Sequence, residues 1–267
     1  MAEKVTVPEI VGRKQQGEKI TCLTAYDYSF ARILDGANID IILVGDSVGC
    51  VFQGQPNTLT VTLDEMIYHT RAVARGCSRA LVVGDMPFLS YQVSREQAIK
   101  NAGRLLQEGG AEAVKLEGGV AIDKTIETIV KIGIPVMGHV GLTPQSVHRF
   151  GGYKVQGKSQ EQRQSVMDDA VAVEASGAFA VVLEGIPLDL AKEITERLSI
   201  PTIGIGAGPH CDGQVLVIHD MLGLFDDFTP KFVKRYADLK GSIAGAVKSF
   251  IKEVREQKFP DKEHSFH

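Results

Sequence analysis

Ala113-Val-Lys-Leu-Glu117, followed after one helical stretch by Val136-Met-Gly-His139, is the part of the chain whose reading decides the fold. Side chains alternate along a strand, so Lys115 and Glu117 share one face while Val114 and Leu116 share the other. Burying such a charged pair is costly unless it is paired or bound to a metal. In a barrel the apolar pair would pack on helices and the Lys/Glu pair would point inward. Six more short β-rich runs surround these two: Ile20–Thr24, Ile41–Gly45, Ala80–Asp85, Ala180–Glu184, Thr202–Gly206 and Val215–His219. Most are continuously apolar, as parallel strands covered on both faces must be. Val215–His219 also fits a helix.

Helical patterns lie between the runs, among them Arg95–Glu108, Ile122–Lys131, Gln162–Ala175 and Leu188–Leu198. Ser94 with Gln97, and Thr62 with Glu65, have capping-box spacing. Gly109, Gly133 and Gly177 stand where helices should stop. Eight βα units predict an α/β protein closed into a (β/α)8 TIM barrel, with an open doubly wound sheet as the alternative. Residues 5–16 predict an extra N-terminal helix. Residues 231–255 predict a long C-terminal helix, with Phe232, Tyr236, Leu239, Ile243, Val247 and Ile251 at helical spacing, before a short polar tail. The expectation is one barrel domain over residues 1–267.

The bulk numbers exclude several classes. The chain has 267 residues, with 44% hydrophobic and 23% charged, enough for an ordinary globular core. Net charge is −4 and no Arg/Lys run is present, which argues against a nucleic-acid partner. No apolar run approaches the ~20 residues of a membrane span. The first ten residues lack the apolar core of a signal peptide, so a cytoplasmic location is expected. Cys22, Cys50, Cys77 and Cys211 form no CxxC pair and read as small buried or incidental thiols that need no disulfide.

Barrel active sites lie at the C-terminal ends of the strands. There the sequence delivers Asp46 and Ser47, Asp85, Lys115 and Glu117, His139, and Glu184 from five consecutive runs. Asp46, Asp85 and Glu117 together suit a hard divalent cation such as Mg²⁺, which takes few protein carboxylates and keeps several waters. No His/Cys set suits zinc. Taken singly, each acid also fits a helix cap or a solvated loop, and His139 fits a hydrogen-bonded core residue. Lys115 beside carboxylates is either a Schiff-base nucleophile or a fixed positive charge; nearby acids favour the second. Gly204-Ile-Gly206-Ala-Gly208 and Gly151-Gly152-Tyr-Lys154 admit either phosphate contacts or close backbone packing.

Several of these motifs resemble those of the ketopantoate hydroxymethyltransferase family. They are Leu23-Thr-Ala-Tyr-Asp27, Val44-Gly-Asp-Ser47, Val114-Lys-Leu-Glu117, Gly138-His-Val-Gly-Leu-Thr-Pro-Gln145 and Gly151-Gly-Tyr-Lys-Val-Gln-Gly157. Gly204-Ile-Gly-Ala-Gly208, Cys211-Asp-Gly-Gln214 and His219-Asp-Met-Leu-Gly223 complete the set. Thr60 in the loop after Gln53, and Gly185 after Glu184, depart from the usual pattern. The resemblance implies transfer of a hydroxymethyl group from 5,10-methylenetetrahydrofolate to 3-methyl-2-oxobutanoate, giving 2-dehydropantoate for pantothenate synthesis. It also implies Mg²⁺ and a large homo-oligomer, commonly a decamer. In that chemistry the keto acid chelates the metal, which stabilises the enolate formed when C3 loses its proton. Asp46 and Asp85 would hold the metal at the substrate, with Glu117 helping directly or through water. Lys115 and Ser47 would bind substrate oxygens, Glu184 would be the base, and His139 would orient its neighbours. The rival readings are a phosphoenolpyruvate mutase/isocitrate lyase-type barrel working without folate, and a catalytically silent keto-acid binder.

Overall fold

The computed structural model describes residues 3–226 and 229–266. The chain divides into two compact units, Met1–Val217 and Ile218–His267. The first contains eight strands: β1 Ile20–Thr24, β2 Ile41–Val44, β3 Leu81–Asp85, β4 Ala113–Glu117, β5 Val136–Gly141, β6 Ala180–Glu184, β7 Thr202–Ile205 and β8 Gly213–Leu216. They pair in parallel in sequence order, and β8 closes the barrel onto β1. The helices of this unit are α1 Val7–Gln16, α2 Tyr28–Gly36, α3 Val48–Val51, α4 Leu63–Gly76, α5 Arg95–Gln107, α6 Asp123–Lys131, α7 Val147–Phe150, α8 Gln160–Ala175 and α9 Leu188–Arg197.

Alternation along each strand fills the barrel. Ile41, Leu43, Leu81, Val83, Met137 and Val182 belong to one buried apolar cluster, and Val5 and Ile10 join it. The Val5 amide donates to Arg79 O, just before β3 begins, so the N-terminal segment lies at the N-terminal ends of the strands. Helix α1 thus seals the end of the barrel opposite the polar one. The same alternation places Lys115 and Glu117 on the face that carries Ala113, as the strand reading requires.

The capping signals at Ser94 and Thr62 are both used; Thr62 and Glu65 form a reciprocal box. A third box, Ser159 with Gln162, starts α8 two residues before the expected Gln162. The positive-φ residue after α5 is Gly110 in place of Gly109, while Gly133 and Gly177 do adopt positive φ. The eighth strand comes earlier than Val215–His219: β8 ends at Leu216, and Ile218–Met221 is a short helix, α10, in the second unit. The C-terminal helix α11 runs Leu239–Arg255, so residues 231–238 are not helical. Phe232 and Tyr236 share its spacing by sequence alone, and Asp238 caps the helix by accepting from Gly241 N. No helix among the described residues is long and apolar enough to cross a membrane.

Asp35 at the end of α2 ties that helix to the start of β3. Its carboxylate accepts from the amides of Ser78, Arg79 and Ala80 and from Ser78 Oγ, at 2.7–3.0 Å for the closest contacts. Burial opposes its ionisation, but these bonds prevail and hold its pKa below the ordinary 3.8. A depressed folded pKa means the stabilisation is complete above the unfolded value and is lost as pH falls through the folded one. Asp35→Ala strands three amides, and about 2–4 kcal/mol of destabilisation is expected at pH 7. Urea unfolding of both proteins should show that difference at pH 7 and a smaller one near pH 3.

Candidate active site

Five consecutive strands end in polar residues at one mouth, and the register explains which of them meet. Asp85 pairs with Lys115 across β3 and β4, and Glu117 with His139 across β4 and β5. Gly141 pairs with Glu184 across β5 and β6. Asp46 and Ser47 follow β2 directly. All seven expected residues are therefore gathered at the C-terminal end of the barrel.

Lys115 Nζ lies 2.9 Å from Asp85 Oδ1, 3.8 Å from Glu117 Oε1 and 3.2 Å from His139 Nδ1. Burial disfavours its charge, but Asp85, Glu117 and Asp46 outweigh that and raise its pKa. Lys115 is thus a fixed ammonium, and the fixed-charge alternative fits better than a Schiff-base amine. Asp46 is buried, and its carboxyl is pushed well above the ordinary range by burial and by repulsion from Asp85 and Glu117. Asp85 is raised chiefly by burial, with Lys115 opposing. Glu117 goes the other way: burial is overcome by hydrogen bonding to His139, by Lys115 and by the Gln145 amide.

His139 joins the inner cluster to Glu184. Its Nε2 is 3.2 Å from Glu184 Oε2, and its Nδ1 is 3.5 Å from Glu117 Oε1. Burial and Lys115 disfavour protonation, yet the bonds to Glu117 and Glu184 raise its pKa to about 9. The Glu184 side chain is 14% exposed, against 2–5% for Asp85, Lys115, Glu117 and His139, so it is the one of these that meets the mouth. Gly141 lets the Glu184 backbone come close: φ is +91°, and a Cβ there would stand 2.4 Å from Glu184 O. Leu142 N donates to that same carbonyl at 2.8 Å.

Three residues without an expected role belong to the site. Gln145 donates from Nε2 to Asp46 Oδ2 at 2.9 Å and from its amide to Glu117 Oε2 at 2.9 Å. Its Oε1 accepts from Tyr91 Oη at 2.7 Å, and Tyr91 also bonds the backbone of Glu117. Tyr26 Oη is 2.8 Å from Ser47 Oγ. Gln145 and Tyr26 sit inside motifs noted in the sequence, which was their only signal; Tyr91 had none.

No group of three His, Cys, Asp or Glu among the described residues is arranged as a ready ligand set for a metal. The charge balance nevertheless suits one. Three buried carboxylates outnumber the Lys115 ammonium and the His139 ring, and Asp85 Oδ1 and Glu117 Oε1 are met only by the ion-pair contacts of those two groups. Asp46 and Asp85 are adjacent, with the Asp46 amide donating to Asp85 Oδ2 at 3.2 Å. Two carboxylates with water and substrate completing the shell fit Mg²⁺. Glu117, engaged by Gln145 and His139, stands behind them.

Residues 4–262 match the family described as ketopantoate hydroxymethyltransferase. The chain is 65% identical over 266 residues to 3-methyl-2-oxobutanoate hydroxymethyltransferase of Geobacter metallireducens, covering 100% of each chain. It is 64% identical over 261 residues to the protein of the same name from Geobacter sulfurreducens, covering 98% of each. Among solved structures it resembles a phosphonopyruvate hydrolase complex with oxalate and Mg²⁺, with a TM-score of 0.64, 11% identity and coverage of 97% and 92%. It also resembles 2,3-dimethylmalate lyase, a PEP mutase/isocitrate lyase superfamily member, with a TM-score of 0.59, 15% identity and coverage of 97% and 91%. At those identities the structural likeness speaks for the barrel fold alone.

Proposed function

The chain belongs to the ketopantoate hydroxymethyltransferase family, and from that premise we propose that it makes 2-dehydropantoate from 3-methyl-2-oxobutanoate, 5,10-methylenetetrahydrofolate and water. The observation that carries the reading is the convergence of Asp46, Asp85, Lys115, Glu117, His139 and Glu184 at one barrel mouth, in a chain that matches this family nearly end to end. The reaction balances as tetrahydrofolate plus product. C3 of the keto acid loses a proton and bonds to the folate one-carbon unit, both C–N bonds of that carbon to the folate break, water supplies the hydroxyl oxygen, and the protons from C3 and from water end on the two folate nitrogens.

Asp46 and Asp85 are the residues proposed to hold Mg²⁺, with Glu117 acting through water. The cation would polarise the 2-oxo group and offset the negative charge that builds on it during deprotonation. Lys115 turns a fixed positive charge toward the substrate oxygens, and Ser47, held by Tyr26, offers them a hydroxyl. Glu184 takes the C3 proton, and His139 keeps its carboxylate in place. A strictly folate-dependent product, with C3 proton exchange in heavy water when folate is left out, is the outcome that tests this reading. Turnover of the keto acid without folate would favour a mutase- or lyase-type barrel instead. None of the four cysteines is in a disulfide, which fits the cytoplasm as the place of action.

Gln145 holds Asp46 and Glu117 at once, so it is proposed as a positioning residue. Gln145→Ala is expected to weaken Mg²⁺ binding and activity ~10–100-fold, the scale for partners that orient metal ligands. Calorimetric titration with Mg²⁺ and keto acid measures the first effect without turnover.

Helix α11 has no buried residue and exposes Ile243, Val247, Phe250, Ile251 and Val254. Exposed apolar stripes of this kind mark association surfaces. A homo-oligomer, a decamer by family, is proposed; sedimentation velocity at micromolar concentration should give it, and a monomer would contradict it.

A further inference from the structure

The segment from Thr143 to Lys158 contains Arg149, Lys154, Lys158 and His148 and no acidic residue, in a chain whose net charge is −4. It carries one of the two glycine-bearing stretches that admit either phosphate contacts or close packing. In the fold it runs from the end of β5 through α7 to the start of α8, and a groove of about 730 Å³ lies along it. Arg149, Phe150, Tyr153, Lys154, Gln156 and Lys158 are among the residues that line this groove, and no carboxylate is. The groove is attached to the active site. Gln156 N donates to Gly185 O at 2.9 Å, one residue from Glu184. Tyr153 reaches the Cys50 thiol, three residues beyond Ser47.

Its backbone does not form a phosphate cradle. The Gly151 and Gly152 amides close the C-terminus of α7, and Lys154 N bonds Gly152 O. The amides of Lys158 and Ser159 are taken by Gln162 Oε1, and that of Gln162 by Ser159 Oγ. A phosphate needs converging free N–H groups, and these six amides are spent. What the groove offers is side-chain cations lining it together with the rings of Phe150 and Tyr153. Gly151, at φ +64°, matters here: a Cβ would come within 3.2 Å of Lys154 Nζ, so glycine lets that ammonium fold over the loop. Arg149 spends part of its field on Asp169, while Lys154 and Lys158 have no ion-pair partner among the described residues.

The proposed reaction has one participant that matches. The keto acid is small and belongs inside the barrel. Tetrahydrofolate has a reactive pterin end, a benzoyl ring and a glutamate with two carboxylates. We propose that this groove seats the glutamate carboxylates of the folate co-substrate on Lys154 and Lys158, with Arg149 as a weaker third partner and Phe150 and Tyr153 flanking the benzoyl ring. This rests on the hydroxymethyl-transfer reading above. It explains why the cations stand outside the mouth: the benzoyl ring separates them from the one-carbon unit near Glu184.

The test is equilibrium binding to the full chain, with Mg²⁺ and keto acid present, of tetrahydrofolate and of tetrahydropteroate, which lacks the glutamate. The wild-type protein should prefer tetrahydrofolate roughly tenfold, as expected of two partly exposed charge-assisted contacts, and less at high salt. In Lys154→Ala/Lys158→Ala the preference should shrink to about twofold or less. Lys131→Ala, which removes an exposed lysine paired with Glu127, should leave it intact. A double variant that keeps the wild-type preference, or a wild-type protein that shows none, would overturn the subsite. The two readings fail separately. Product formation with an undiminished preference in the double variant removes the subsite and leaves the reaction. A charge-dependent folate preference without product leaves the subsite and removes the reaction.

Discussion

Glu184→Gln is expected to lower both C3 proton exchange and product formation by ~10²–10⁴-fold, the usual worth of a positioned general base. The substitution keeps the shape and the 3.2 Å approach to His139 Nε2 but removes the proton acceptor. Mg²⁺ and keto-acid binding should stay near normal, because Asp46 and Asp85 lie on the far side of Lys115 and Glu117 in the strand order. Proton exchange followed by NMR in heavy water, with no folate, isolates the base from the one-carbon step. Exchange at the wild-type rate with lost product would move Glu184 to the folate side and leave His139 as the leading base. Loss of Mg²⁺ binding would make Glu184 a ligand and redraw the site.

Asp46→Ala and Asp85→Ala should each cost on the order of 10³-fold in activity or more, the scale for losing stabilisation of developing charge. Excess Mg²⁺ should not rescue either fully. The two differ in a second respect. Asp46 answers a neutral donor, Gln145 Nε2, whereas Asp85 is the ion-pair partner of buried Lys115. Leaving that ammonium without its nearest anion is expected to destabilise the fold by ~3–5 kcal/mol. Thermal melts should therefore separate them, with Asp85→Ala melting well below Asp46→Ala. Binding of Mn²⁺ as a spectroscopic stand-in, with keto acid present, should be lost in both. Full activity of chelator-treated wild-type protein would remove the metal from the proposal.

The sequence by itself determined the barrel and the residues at its mouth. Short apolar runs alternating with capped amphipathic segments are local signals, and strand alternation alone put Lys115 and Glu117 on the inner face. Where local signals were ambiguous, the tertiary structure decided. Val215–His219 is apolar enough for strand or helix; pairing with Ile20 and Thr21 on one side and Ile203 on the other selected Gly213–Leu216. Residues 231–238 have helical spacing, but helix α11 begins only where Asp238 caps it. Gln145 is the clearest case. Nothing in its own neighbourhood shows that its side chain will cross to Asp46, 99 residues away, while its amide meets Glu117. Such partners are set by barrel closure, which brings the ends of β2, β4 and β5 within one hydrogen bond of each other. Periodicity reports which face a side chain takes; only the closed sheet determines what it finds there.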